Sequence, residues 1–122
     1  MILVDTSIWI DHLHSADERL ARFLDDGQVG CHRSVIEELA LGSIADRGVV
    51  IGLLRNLAQF PVVTHDELLQ LVDAHHLWGR GLSAVDAGLL GSVLIRDGSR
   101  LWTRDKRLKA AGSDIGVTVI KD

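Results

Sequence analysis

Four acidic side chains occupy positions where a protein of alternating strands and helices does its chemistry: Asp5 in ILVDTSIWI, Glu38 in VIEELALG, Asp86 in GLSAVDAGLL and Asp105 in LWTRDKRL. Ligands of a parallel sheet bind outside the carboxyl ends of its strands, where the strand order reverses, so acids from distant segments converge there. Converging carboxylates repel one another unless a cation lies between them. The donors are hard oxygens, only one cysteine is present, and no histidine pair has the i, i+4 spacing of a helical chelate. That combination favours Mg²⁺, or Mn²⁺, over zinc.

Each acid also has a local role open to it. Asp5 suits an Asx-turn, Asp86 the third helical position of a capping box opened by Ser83, and Asp105 a helix N-cap. Glu38 stands beside Glu37, and a helical wheel separates the two. With Val35, Ile36, Leu39 and Ser43 turned inward, Glu37 points nearly opposite, whereas Glu38 lies on the flank toward Leu41 and Gly42. Glu38 is the better ligand.

Around Asp105, the residues Arg96, Arg100, Arg104, Lys106, Arg107 and Lys109 set six cations within fourteen residues. Two readings stay open, a solvated helix face and a phosphate-facing rim around an acidic centre. The formal charge of −4 is unusual for a nucleic-acid binder, yet setting the four acids aside leaves 13 acidic against 13 basic residues.

The elements that must position these groups follow from apolar periodicity. ILVD (2–5) is a continuous run suited to a strand buried on both faces, and TSIWIDHL starts a helix with Thr6 or Ser7 as cap. An amphipathic helix over 17–26 stops at Gly27, QVGC is a second strand, and RSVIEELALGS a helix ending near Gly42. A helix over about 46–58 runs to Pro61, which marks the entry to a third strand, VVT. Thr64 and Glu67 form a T-x-x-E capping box ahead of a helix over 65–78, broken by GRG (79–81). A helix opened by Ser83 runs to Ile95, RLWT is a fourth strand, a helix over 105–112 ends at Gly112, and GVTVI is a fifth strand. Strands separated by helices, with no hairpin signals, imply a parallel α/β sheet with right-handed crossovers.

The 122 residues fit one domain, 1–122, with 47% hydrophobic and 25% charged residues. The single Cys31 excludes an internal disulfide, is expected in the core, and suits a reducing cytosol. No stretch approaches the roughly 18 apolar residues of a membrane span, and MILVDTS lacks a signal peptide's basic start, so a cytoplasmic location is expected. His12 with His14 and His75 with His76 are expected on the solvated surface. No G-x-G-x-x-G or Walker A pattern points to a nucleotide. A phosphoacceptor receiver or HAD-type phosphatase also places Asp after its first strand, but DTS lacks the second Asp of D-x-D, and the later strand-end Lys is missing.

The ordered set ILVDTSIWI, VIEELALG, GLSAVDAGLL and LWTRDKRL resembles PIN-domain ribonucleases over essentially the whole chain, particularly the VapC-type toxins of toxin–antitoxin pairs. The resemblance implies a three-layer PIN-like domain with a central parallel sheet of about five strands flanked by helices. It implies that Asp5, Glu38, Asp86 and Asp105 hold a catalytic Mg²⁺ or Mn²⁺, with Thr6, Ser7 and Thr103 ordering the carboxylates or the ion's water. Metal-dependent endoribonuclease activity leaving 5′-phosphate and 3′-hydroxyl ends is expected, with Arg104, Lys106 and Arg107 gripping the RNA backbone. A homodimer and a cognate antitoxin covering the acidic pocket are the expected partners, with Ile8, Trp9, Leu13, Leu53, Leu54 and Leu57 as contacts or core. A housekeeping PIN nuclease in RNA maturation shares the chemistry, and a non-catalytic interaction module is disfavoured because no acid is missing.

Overall fold

The computed structural model describes residues 1–121. Five strands and seven helices alternate along them: β1 (Ile2–Val4), α1 (Thr6–His14), α2 (Glu18–Asp25), β2 (Val29–Cys31), α3 (Arg33–Leu41), α4 (Arg47–Asn56), β3 (Ala58–Gln59), α5 (His65–His75), α6 (Ala84–Ile95), β4 (Arg100–Trp102), α7 (Lys106–Asp114) and β5 (Thr118–Val119). Every pairing is parallel, in the order β3-β2-β1-β4-β5. The chain steps outward from β1 through β2 to β3, then crosses back to β4. The order therefore reverses between β1 and β4, and right-handed crossovers set α1–α4 on one face and α5–α7 on the other.

The continuous apolar runs become strands because both faces are covered. Ile2, Leu3, Val4 and Leu101 are fully buried, and Trp102 is nearly so, with Phe23 of α2 edge-on to its ring at 5.8 Å. Gly30 is required where it stands, since a Cβ there would lie 2.5 Å from the Phe60 ring. Cys31 is buried as expected, and burial pushes its thiol up to about 11.

Several boundaries differ from the sequence reading, each for a physical reason. The third strand is Ala58–Gln59 rather than VVT, so Pro61 follows it and does not open it. The valines serve the helices instead, for Val63 packs against Gly91 of α6 beside Leu71 of α5. Helix α5 stops at His75 because His76 turns into the left-handed region at φ 53°. Helix α7 continues through Gly112, a close-packing point against Leu90 and Val119, and the break falls at Gly116 with φ 89°. Ile8, Trp9 and Leu54 belong to the core, while Leu13 and Leu53 remain exposed.

Candidate active site

The edge formed by the carboxyl ends of β1 and β4 is built around one carboxylate. Asp5, not Thr6 or Ser7, caps α1, accepting the Thr6 N–H on Oδ1 at 2.8 Å. Its other oxygen, Oδ2, accepts the Ser7 hydroxyl at 3.0 Å and the Thr103 hydroxyl at 2.7 Å. Thr103 comes directly after β4 and is fully buried, so its bond to Asp5 spans the point where the strand order reverses. Thr103 Oγ1 in turn accepts the Asp105 N–H at 3.1 Å, and Ser7 Oγ accepts the Arg104 N–H at 3.3 Å. Two hydroxyls thus tie the start of α1 to the turn that leads into α7.

Asp105 caps α7, with Oδ1 accepting the Arg107 and Leu108 N–H groups at 2.9 and 3.2 Å. Asp86 sits in a reciprocal capping box, its Oδ2 accepting the Ser83 N–H at 3.0 Å while Ser83 Oγ accepts the Asp86 N–H at 3.1 Å. Both local roles open to these residues in the sequence are realised, and each engages only one carboxylate oxygen. Glu38 Oε1 accepts the Thr6 hydroxyl at 2.7 Å, so α3 leans its acidic flank on the start of α1. Glu37 lies instead beside Arg33, Arg55 and Gln59. The wheel separates the two glutamates correctly, although Ser43 is exposed beyond the helix rather than inward.

In kind, these groups fit a hard divalent cation. Asp86 Oδ1, Glu38 Oε2 and Asp105 Oδ2 carry no hydrogen bond among the described residues, and the ion pairs there, Arg80–Asp114 and Arg104 with Asp11 and Asp17, include none of the four acids. Their present side-chain positions do not close a ring, for no three His, Cys, Asp or Glu groups among the described residues stand close enough to hold an ion together. The PIN domain family matches residues 2–113. Ribonuclease VapC32 of Mycobacterium tuberculosis, in both strain CDC 1551 / Oshkosh and strain H37Rv, is 65% identical over 122 residues, covering all of this chain and 98% of that protein. The chain belongs to the PIN-domain ribonucleases. That identity places it in the VapC branch of the family.

Two solved structures share the fold. The crystal structure of FitAcB from Neisseria gonorrhoeae superposes with a TM-score of 0.67 at 20% identity, covering 99% of this chain and 97% of that one. PAE2754 from Pyrobaculum aerophilum gives 0.60 at 21% identity, with 97% and 89% covered.

Among the basic residues, Arg104 is engaged by carboxylates, with Nε 2.6 Å from Asp11 and Nη2 3.4 Å from Asp17. Lys106 and Arg107 are exposed at the start of α7. Asp11 and Asp17 as partners of Arg104 had no signal in the sequence, since nearly ninety positions separate Asp17 from Arg104. His32 was also missed. It caps α3 by accepting the Ser34 N–H on Nδ1 at 3.0 Å, and its buried Nε2 has no hydrogen-bond partner among the described residues. Desolvation, with a smaller contribution from Arg33 and opposed by Glu37, lowers its pKa below the usual 6.5. Of the histidine pairs, His75 and His76 are exposed as expected, whereas His12 is half-buried and accepts the Asp17 N–H at 2.9 Å. Among the described residues no helix is long and apolar enough to cross a membrane.

Proposed function

We propose that the chain, acting as one domain, is the toxin of a type II toxin–antitoxin pair, a Mg²⁺- or Mn²⁺-dependent endoribonuclease leaving 5′-phosphate and 3′-hydroxyl ends. The observation that carries this reading is the buried Thr103–Asp5 hydrogen bond across the strand-order reversal, with Glu38 and Asp105 tied to the same knot through Thr6 and Thr103. Asp5, Glu38, Asp86 and Asp105 would hold the ion. A bound divalent cation supplies activation of water and neutralises charge on the phosphoryl group, which removes the need for a general-base histidine.

The chain's own residues then position rather than react. Thr103 and Ser7 fix the Asp5 carboxylate, and Thr6 holds Glu38 toward it. Lys106 and Arg107 are free to meet phosphates at the mouth of the site, while Arg104 joins them only by loosening its pairs with Asp11 and Asp17. Beside Glu38 lies an apolar hollow of about 280 Å³, lined by Ile10, Leu13, Leu39 and Ile44 among others. With Leu41, Val49 and Leu53 exposed nearby in sequence, it supports a cognate antitoxin segment as its cover, and the homodimer expected of the family completes the assembly.

Expression of the wild-type chain in a bacterial host should arrest growth and produce RNA ends bearing 5′-phosphate, and expression of Asp5→Asn should do neither. Rescue by the small protein encoded beside it separates a toxin from a housekeeping nuclease. Harmless expression at levels that measurably cleave RNA would overturn the toxin reading and leave the nuclease.

A further inference from the structure

Trp78 is anomalous among the three tryptophans. Trp9 and Trp102 are 5% and 2% exposed, whereas Trp78 is 60% exposed. Its indole is not left loose, for the His76 ring stacks on it at 4.7 Å and 25°. His76 adopts the left-handed conformation at φ 53° as the C-cap of α5, its N–H bonded to the Val72 carbonyl, and so turns the chain toward Trp78.

The same loop is moored to the site. Gly79 and Gly81, at φ 73° and 75°, flank Arg80, which pairs with Asp114 of α7 at 2.8 Å. The Arg107 guanidinium lies against Gly81 so closely that a Cβ there would be 2.5 Å from Nη1. Arg107 follows Asp105 by two residues and bonds to its carboxylate through the backbone at 2.9 Å. From Trp78 to Ser83, the cap of the helix carrying Asp86, the chain extends at most ~18 Å. An exposed flat ring pair therefore stands three residues along the loop from the glycine that an exposed guanidinium touches, within a few nucleotides' reach of the acids.

A single RNA strand offers both complements, a π-face for the rings and a phosphate for the cation. We propose that His76 and Trp78 form a stacking platform for one unpaired base flanking the cleavage site, with Arg107 on the adjoining phosphate. The platform rests on the nuclease reading above and adds a positioning role to it. A second copy of the chain or an apolar protein segment would also fit the ring, but a single RNA strand supplies a π-face and a phosphate together at every nucleotide.

The test uses the full chain and an unstructured RNA that the wild type cuts at one site, with an abasic spacer introduced at one position at a time. One flanking position should raise KM by roughly 5- to 100-fold for wild type, with little change in kcat. Trp78→Ala should show that loss already and gain no further loss from the spacer, while Trp78→Phe should restore most of the wild-type profile. In metal-free buffer, binding of the same RNA should quench the fluorescence of wild type and not of Trp78→Ala.

An unchanged KM and abasic profile in a folded Trp78→Ala protein would overturn the platform while the nuclease stands. The same profile together with dissociation of a wild-type dimer would assign the ring to a contact between copies and overturn it equally. Should the wild type cut no RNA, the nuclease reading fails on its own, and the fluorescence titration with single-stranded RNA still decides the stack.

Discussion

Along one sheet edge the chain passes from strand to helix four times with an N-capping side chain; after β3 the cap is the neutral Thr64, and the other three caps are titratable groups that differ in charge. After β1 the cap is Asp5, after β4 it is Asp105, and after β2 it is His32. All three accept backbone N–H groups, which is all that starting a helix requires. Asp5 goes beyond that role, because two further hydroxyls bind its second oxygen and link it to Asp105 through Thr103. Among the described residues His32 has no such network, and its second nitrogen is buried without a hydrogen-bond partner. Sheet order explains where the charge gathers, since β1 and β4 are neighbours at the reversal and β2 lies one strand away. A cap is a local device, and its position relative to that crevice decides whether it is also chemistry.

The strongest way to break this comparison is Asp5→Asn. Cleavage should fall by more than the ~10- to 100-fold typical of outer-shell partners, because the proposed site would lose an ion ligand outright. The change should also destabilise the protein by about 1 kcal/mol, since the amide has a single acceptor oxygen and cannot accept the Thr6 N–H on one end and the two hydroxyls on the other. Steady-state cleavage and thermal melts on the same samples read both effects, and an Asn protein with wild-type activity would reduce Asp5 to a cap like His32.

Thr103→Val tests the link rather than the ligand. It leaves the buried Asp5 oxygen short of a donor and the Asp105 N–H short of an acceptor, so a loss of about 2–3 kcal/mol and a fall of roughly 10- to 100-fold in cleavage are expected. Thr6→Val, at the exposed Glu38 contact, should leave the melting temperature nearly unchanged. Equal destabilisation by the two would show that the crevice bond is no more structural than the surface one.

Glu38 and Glu37 sharpen the comparison at a helix that carries no charge at its own cap. Glu38→Gln keeps an oxygen for the Thr6 hydroxyl and should slow cleavage about tenfold with no change in stability, while Glu37→Gln should be silent. The opposite ranking in cleavage assays would move the fourth ligand to the other side of α3.

Much of this site was legible in the sequence because its elements obey local rules. The runs at Ile2–Val4 and Arg100–Trp102 announce buried strands, the S-x-x-D and T-x-x-E boxes form as read, and helical periodicity separates Glu38 from Glu37. What was not legible is long-range. The β3 edge strand, exposed Ala58–Gln59, has no apolar signature, whereas the more apolar VVT has one and covers helices instead. The engagement of Arg104 by Asp11 and Asp17 depends on tertiary proximity that spacing does not encode, and the expectation that Thr103 orders a carboxylate comes from the family resemblance, with Asp5 as its partner visible only in the fold. His32 was overlooked because imidazole is an uncommon cap, and a single histidine after a strand carries no pattern.

The smallest expected effect isolates that third cap by pH. Burial lowers the His32 pKa in the folded protein below its ordinary 6.5, so between those two values the unfolded chain binds a proton that the folded one does not. Stability therefore rises with pH across that window. It is fully present above about 6.5, falls as pH drops through the window, and stops falling below the folded value. Protonation acts directly on the cap, because Nδ1 can accept the Ser34 N–H only while it is unprotonated. His32→Asn supplies a good capping oxygen that does not titrate, so the melting difference between wild type and variant cancels the other histidines. Wild type should lose ground to His32→Asn between about pH 7.5 and about pH 5.5, and an unchanged difference would mean that His32 is held no differently in the folded and unfolded chains.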